Sequence, residues 1–339
     1  MSDIYSTETA LDSLVEKLEK SNYSDSEKVL LKEFRFELHA ENLSDRRIMR
    51  YLRSFDTLEN LIHFPLGDPS RKNLLELVGK INKNKVAEKD YSPWTKAEFK
   101  KSLKKFYKWL DSVEEDEILD FMSTKPKKSE LPHTDPADLP TPKEVRSIQK
   151  HATNSRDKAF VAFLWESGGR IGEVMEVKWK DLETAEDFTR VAFRESKTQP
   201  RTVPIKDCVT AVENWKLQHP DSSPENYVFS RLHDAGQLSY NGITDGLDRA
   251  VGHAETACDT NPHAFRKSRA TYLASKGFNV FQLMSFFGWK QPETALTYVR
   301  MAQSDVEDAF LKVHRQTQID DHMQDEDGVP ETQKVLLQY

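Results

Sequence analysis

Residues 123–142, STKPKKSELPHTDPADLPTP, constrain this chain more than any other segment. Prolines fix φ and remove backbone donors, and among charged and small residues they leave nothing to pack into a core. The segment therefore reads as an extended interdomain linker, and a 339-residue chain is long enough to form a domain on each side of it. The N-terminal side reads as helices alone. Leu11, Leu14, Val15 and Leu18 recur at helical spacing. Ser24 and Glu27 have capping-box spacing ahead of Leu30, Phe34 and Leu38, and Ser44 can cap a helix carrying Ile48, Leu52, Phe55 and Ile62. Pro69 suits the first turn of a fourth helix with Leu74, Leu77, Val78 and Ile81 inward. Thr95 and Glu98 repeat the capping-box spacing before Leu103, Phe106, Tyr107 and Leu110.

Beyond the linker the pattern is mixed. Thr141, Pro142 and Glu144 form a helix start, and Arg156–Trp165 is expected as a helix apolar on one side, with Phe163 and Trp165 in the core. Phe188–Arg194 and Arg201–Ile205 read as two strands around the polar turn Glu195–Pro200. Helices are expected at Val209–Leu217, Ile243–Val251, Ala264–Lys276, Val280–Phe287 and Pro292–Met301, with Phe286 and Phe287 inward. The fold class is mainly α with a small β-sheet in the second domain. Residues 1–122 form an all-helical domain, 123–140 the linker, 141–318 a mixed α+β domain and 319–339 an acidic, flexible tail ending near the apolar Val335–Leu337.

Composition narrows the function classes. With 37% hydrophobic and 31% charged residues the chain is too apolar for wholesale disorder. No stretch has the apolar length of a membrane span, and the N-terminus lacks the layout of a signal peptide. Cys208 and Cys258 are isolated, which points to a reducing cytoplasm and away from zinc or disulfides. The net charge of -7 hides segregation: basic residues dominate between Arg71 and Lys108, while acids gather at Asp111–Asp120 and Asp320–Asp327. Lys96, Lys100, Lys101, Lys104, Lys105 and Lys108 on the fifth helix are candidate phosphate contacts; a solvated amphipathic face is the plainer alternative.

Four short segments carry chemistry: Glu166-Ser-Gly-Gly-Arg-Ile-Gly-Glu173, Ser196-Lys-Thr198, Pro262-His-Ala-Phe-Arg266, and Gly288-Trp289 followed by Tyr298-Val-Arg300. Singly, each is an ordinary surface or core group. In this order they resemble the tyrosine recombinases, or phage-type integrases, most of all their archaeal and Xer-like members, over nearly all of residues 141–302. The N-terminal part, with WTKAEFKKSLKKFYKWL, resembles that family's core-binding domain more loosely.

The resemblance implies a site-specific recombinase whose two domains form a clamp around DNA. It cleaves and rejoins strands through a covalent 3′-phosphotyrosyl link, with no cofactor and no metal. Tyr298 would be the nucleophile, Arg170 and Arg266 would clamp the phosphate with His263, and Lys197 would protonate the leaving 5′-oxygen. Trp289 stands where many relatives have histidine; its indole can donate a hydrogen bond and pack around the tyrosine but cannot exchange a proton. Gly168 and Gly169 allow a tight turn before Arg170, and Glu173 is expected to be structural, orienting Arg170 or another basic group. Implied partners are double-stranded recombination sites and further protomers in a tetrameric synapse on a Holliday junction. An accessory DNA-bending protein remains open, no membrane is involved, and the expected location is the cytoplasm, on the nucleoid. A C-terminal exchange between protomers would use Val306–Val313 or Val335–Leu337. Integration or excision of a mobile element and dimer resolution both fit. An inactive DNA-binding relative and a topoisomerase-like relaxing enzyme are the alternatives. His314 and His322 have no ligand spacing.

Overall fold

The computed structural model describes residues 7–83, 86, 90–110, 121–127, 135–194 and 199–302. Lys197, the acidic run 111–120, the tail 319–339 and both candidate exchange segments lie outside the described residues. The chain divides into two compact units, Ser2–His133 and Thr134–Tyr339.

The first unit contains α1 (Thr7–Glu19), α2 (Asp25–Ala40), α3 (Asp45–Leu58), α4 (Arg71–Asn82) and α5 (Pro93–Leu110). Ser24 and Glu27 form the capping box of α2. Phe34, Leu38, Ile48, Leu52, Phe55, Leu103 and Phe106 share one core, with Phe106 tilted against Phe55 at 4.9 Å. Two helix starts differ from expectation. Ser70, after Pro69, caps α4 through a box with Asn73. Ser92 rather than Thr95 accepts the first-turn amide of α5, because Pro93 occupies the opening position and shifts the cap upstream.

The second unit contains α6 (Pro142–His151), α7 (Ser155–Ser167), α8 (Ile171–Met175), strands β1 (Leu182–Thr184), β2 (Thr189–Phe193) and β3 (Arg201–Ile205), then α9 (Val209–Lys216), α10 (Tyr240–Ala254), α11 (Pro262–Ser275), α12 (Val280–Phe287) and α13 (Pro292–Ala302). The strands form one antiparallel sheet in the order β1-β2-β3, with Val191 opposite Val203 and Phe193 opposite Arg201. Helix α7 is buried all round from Ala159 to Ser167, rather than on one side, with Lys158 exposed in its first turn. It packs against α6, α9, α11 and β3 and is the centre of the unit.

The proline-rich segment is docked at its C-terminal end, while its described N-terminal residues 123–127 are exposed or half-buried next to Met122 of the first unit's core. In the second unit Leu139 is buried, the Pro140 carbonyl accepts from Ser268 Oγ at 2.5 Å, and the Asp138 carbonyl accepts from the Asp259 amide at 2.8 Å. Local composition did not show these contacts because their partners lie more than a hundred residues away.

Candidate active site

The site is assembled from the ends of four elements of the second unit. At the C-terminus of α7, Gly168 takes the left-handed conformation with φ 57°. A Cβ there would run into the Phe287 ring, and one at Gly169 would meet Phe193 at 2.8 Å. Both glycines are therefore needed for close approach as well as for the turn. The chain then presents Arg170 as the N-cap of α8. Glu173, buried, receives Arg170 Nη1 on Oε1 at 2.7 Å and the Arg170 amide on Oε2 at 2.9 Å.

Helix α11 supplies the second pair. Asn261 caps it by accepting the amides of His263 and Ala264, and is itself held by Asp259. His263 keeps an exposed surface one turn before Arg266, which is only 2% exposed. Arg266 donates Nη1 to the Gly168 carbonyl and Nη2 to the Phe287 carbonyl, both at 2.6 Å, so it ties α7 to the end of α12. Burial, then Arg170 and Arg201, push its pKa down to about 9, which leaves it a cation at neutral pH. His263 is pushed below the usual histidine value by desolvation, then by Arg266, Lys267 and Arg170.

The aromatic members form one stack. Phe287 lies parallel to Trp289 at 4.7 Å, and Trp289 lies parallel to Tyr298 at 5.1 Å with 8° between their planes. The Arg266 guanidinium sits over the Phe287 and Trp289 rings at 5.1 and 5.6 Å. Gly288, left-handed at φ 64°, ends α12 and turns Trp289 into this position. Tyr298, half-buried on α13, has its phenol pKa raised by burial and drawn back by Arg266. Thus Arg170 from the turn before α8, His263 and Arg266 from α11, Trp289 from the turn after α12 and Tyr298 from α13 come together, while Lys197 is outside the described residues.

Sequence reasoning passed over two groups. Arg201, at the first position of β3, reaches Glu173 and the Phe286 carbonyl. Glu166 is buried and accepts the amides of Lys206, Asp207 and Cys208 at 2.6, 2.9 and 2.6 Å, pinning the connection after β3 onto α7. A glutamate inside an apolar helix followed by Gly-Gly was the available signal, since a buried carboxylate needs several donors.

In the first unit the α5 lysines occupy half-buried to exposed positions, with Lys108 exposed. Lys100 donates to Asn82 at 3.1 Å, Lys101 lies 3.6 Å from Glu98, and Lys105 pairs with Glu41. Sequence reasoning also missed the exposed row Arg46, Arg47, Arg50 and Arg53 on α3, which packs against α5.

The family model described as Phage integrase family matches residues 140–322, more than half of the chain. The chain belongs to that family and is a site-specific tyrosine recombinase. It is 24% identical over 289 residues to a tyrosine recombinase of Pseudothermotoga lettingae, covering 81% of this chain and 94% of that one. It is 25% identical over 285 residues to tyrosine recombinase XerA of Pyrococcus horikoshii, covering 84% and 93%. Among solved structures its fold is similar to a lambda integrase dimer bound to a COC' core site, at TM-score 0.62 and 15% identity, covering 82% of this chain and 78% of that one. It is also similar to the Tn1549 transposon integrase with transposon right end DNA, at TM-score 0.61 and 19% identity, covering 85% and 99%. No helix among the described residues is long and apolar enough to cross a membrane.

Proposed function

We propose that Tyr298 attacks a DNA phosphodiester held by Arg170, Arg266 and His263. The tyrosine oxygen bonds to phosphorus, the bond to the 5′-oxygen breaks, and a 3′-phosphotyrosyl link remains. The phenol releases its proton to solvent, and the leaving 5′-oxygen gains one from Lys197, to which we assign that role. Because the phosphotyrosine keeps the energy of the broken bond, a free 5′-hydroxyl of either strand can reverse the attack. The carrying observation is the parallel stack of Tyr298 on Trp289 with Arg266 over the rings, which puts a buried guanidinium beside the tyrosine. A fixed cation of this kind stabilises the charge that builds on the non-bridging oxygens without reorganising.

Double-stranded DNA is the substrate in this reading. The α5 lysines, with Arg46, Arg47, Arg50 and Arg53 of α3, contact its phosphates. Four protomers assemble on two sites, as a solved structure of a lambda integrase tetramer bound to a Holliday junction does. The protein acts inside the cell, on the DNA of the nucleoid. A suicide substrate, nicked so that the cleaved end diffuses away, tests the chemistry. Wild type should accumulate a covalent complex resistant to denaturant; Tyr298→Phe should bind the same DNA with unchanged affinity and form none. A covalent complex with Tyr298→Phe would overturn the assignment.

A further inference from the structure

We propose that Arg201 is a positioning residue that ties the Arg170 side of the site to the Trp289–Tyr298 side; the inference rests on the catalytic reading above. Arg201 is held on three sides. It opens β3 opposite Phe193 in the sheet, and its guanidinium lies over the Phe193 ring at 4.6 Å. Its Nη2 donates to Glu173 Oε2 at 2.8 Å, and its Nε donates to the Phe286 carbonyl at 3.0 Å. The side chain is 5% exposed.

The two hydrogen bonds lead to opposite corners of the site. Glu173 holds both the side chain and the amide of Arg170, so whatever fixes Glu173 fixes the first phosphate clamp. Phe286 and Phe287 are the last residues of α12, and their carbonyls are taken by Arg201 and Arg266 respectively. The next residues are Gly288 and Trp289, and Trp289 is the ring on which Tyr298 stacks. Carbonyls in the last turn of a helix have no partners within it, so they are suited to fixation by cations. Arg201 therefore sets the spacing between the clamp and the nucleophile's platform.

Its charge has a second consequence. Glu173 Oε2 is shared between Arg201 and the Arg170 amide, leaving Oε1 as the oxygen that receives Arg170 Nη1. Arg201 thereby shares the carboxylate that orients Arg170, so Glu173 carries two cations rather than serving Arg170 alone. Arg201 Nη1 is buried with no hydrogen-bond partner among the described residues, an arrangement that a purely structural arginine would be expected to avoid. Lysine cannot replace this fork, since one ammonium cannot reach carboxylate and carbonyl in the same planar geometry.

The test is Arg201→Lys in the full chain, read by backbone hydrogen exchange and by single-turnover cleavage of the suicide substrate. Exchange should rise by about threefold or more in both 168–176 and 284–291 and stay unchanged in α10. Cleavage should slow by about ten- to a hundredfold, because a small misplacement is amplified in the rate, while DNA affinity holds. In an Arg170→Lys background the same substitution should slow cleavage by less than about threefold, as expected of residues acting in one chain of contacts. A rise in exchange across the whole unit, no rise at either segment, or a full loss of rate in the Arg170→Lys background would overturn the proposal. If Arg201→Lys does not fold, Glu173→Gln takes its place: exchange should then rise at 168–176 alone, and a rise at both segments or neither overturns it. Because exchange is measured without DNA, selective loosening in a protein that never forms a covalent complex would sink the catalytic reading and leave the mechanical coupling standing.

Discussion

In the proposed reaction Tyr298 starts protonated at neutral pH, since burial raises its phenol pKa and Arg266 only partly offsets that. Its neighbour Trp289 has no proton to exchange, so the stack orients the phenol without titrating. His263 is biased the other way: desolvation, Arg266, Lys267 and Arg170 disfavour its charged form, so it is neutral at pH 7. The same shift fixes the sign of a stability effect. The folded protein holds His263 below its unfolded value of about 6.5, so the unfolded chain binds the proton more readily. Stability is therefore complete above about pH 6.5 and falls as pH drops through the lower folded value. The His263 ring should titrate by NMR with a midpoint below that of an unfolded histidine. His263→Gln should show a shallower fall in melting temperature on the acid side than wild type, and identical slopes would count against the assigned environment. An occupying phosphate opposes these cations, so DNA should raise the midpoint.

Helix ends carry most of the functional geometry. Gly168 illustrates the point, because its left-handed backbone, its contact with Phe287 and its carbonyl bond to Arg266 all serve one junction. Gly168→Ala should destabilise the second unit by roughly 2 kcal/mol or more, combining a left-handed penalty of about 1–2 kcal/mol with displacement of a packed ring. Thermal unfolding measures the loss, and cleavage should fall beyond it because a strained junction displaces the residue-168 carbonyl that orients Arg266. A melting temperature equal to wild type would show that the junction tolerates a side chain. The sequence shows such junctions unevenly. Val280–Phe287 is legible to the residue, bounded by Asn279 and Gly288, and the capping boxes at Ser24 and Thr141 place α2 and α6. Helix α8 was not legible, since five residues are too few to display a 3.6-residue period. Strand β1 has three residues, none buried, and so carries no alternation. Arg201 read as no more than the first residue of a strand; its place in the site depends on Glu173 and Phe286, which no local pattern connects to it. Arg170, His263, Arg266, Trp289 and Tyr298 were legible because the order of four segments identifies a family, not because any one of them advertises chemistry.

For the whole molecule, the question is how a chain of net charge -7 binds a polyanion. Charge is confined by element rather than averaged. Helix α3 exposes Arg46, Arg47, Arg50 and Arg53 while burying Ile48, Leu52 and Phe55. Helix α5 packs against it through a Ser54–Ser102 hydrogen bond of 2.8 Å and adds its lysines beside that row. Several of these cations hold local partners, such as Arg50 with Glu98 at 3.8 Å and Lys101 with Glu98 at 3.6 Å. Exposed pairs of this kind contribute about 0–1 kcal/mol, so exchanging a carboxylate for a phosphate there is inexpensive. Each phosphate neutralised releases counterions, and binding weakens with salt at a slope of about -0.9 per contact. Replacing Arg46, Arg50 and Arg53 together by alanine should weaken binding to cognate and unrelated duplexes by similar factors and flatten the salt dependence by about two to three contacts. Equilibrium binding across a salt series measures both. Loss confined to the cognate duplex would instead make these arginines readers of base edges, and an unchanged slope would place the DNA on another face of the first unit.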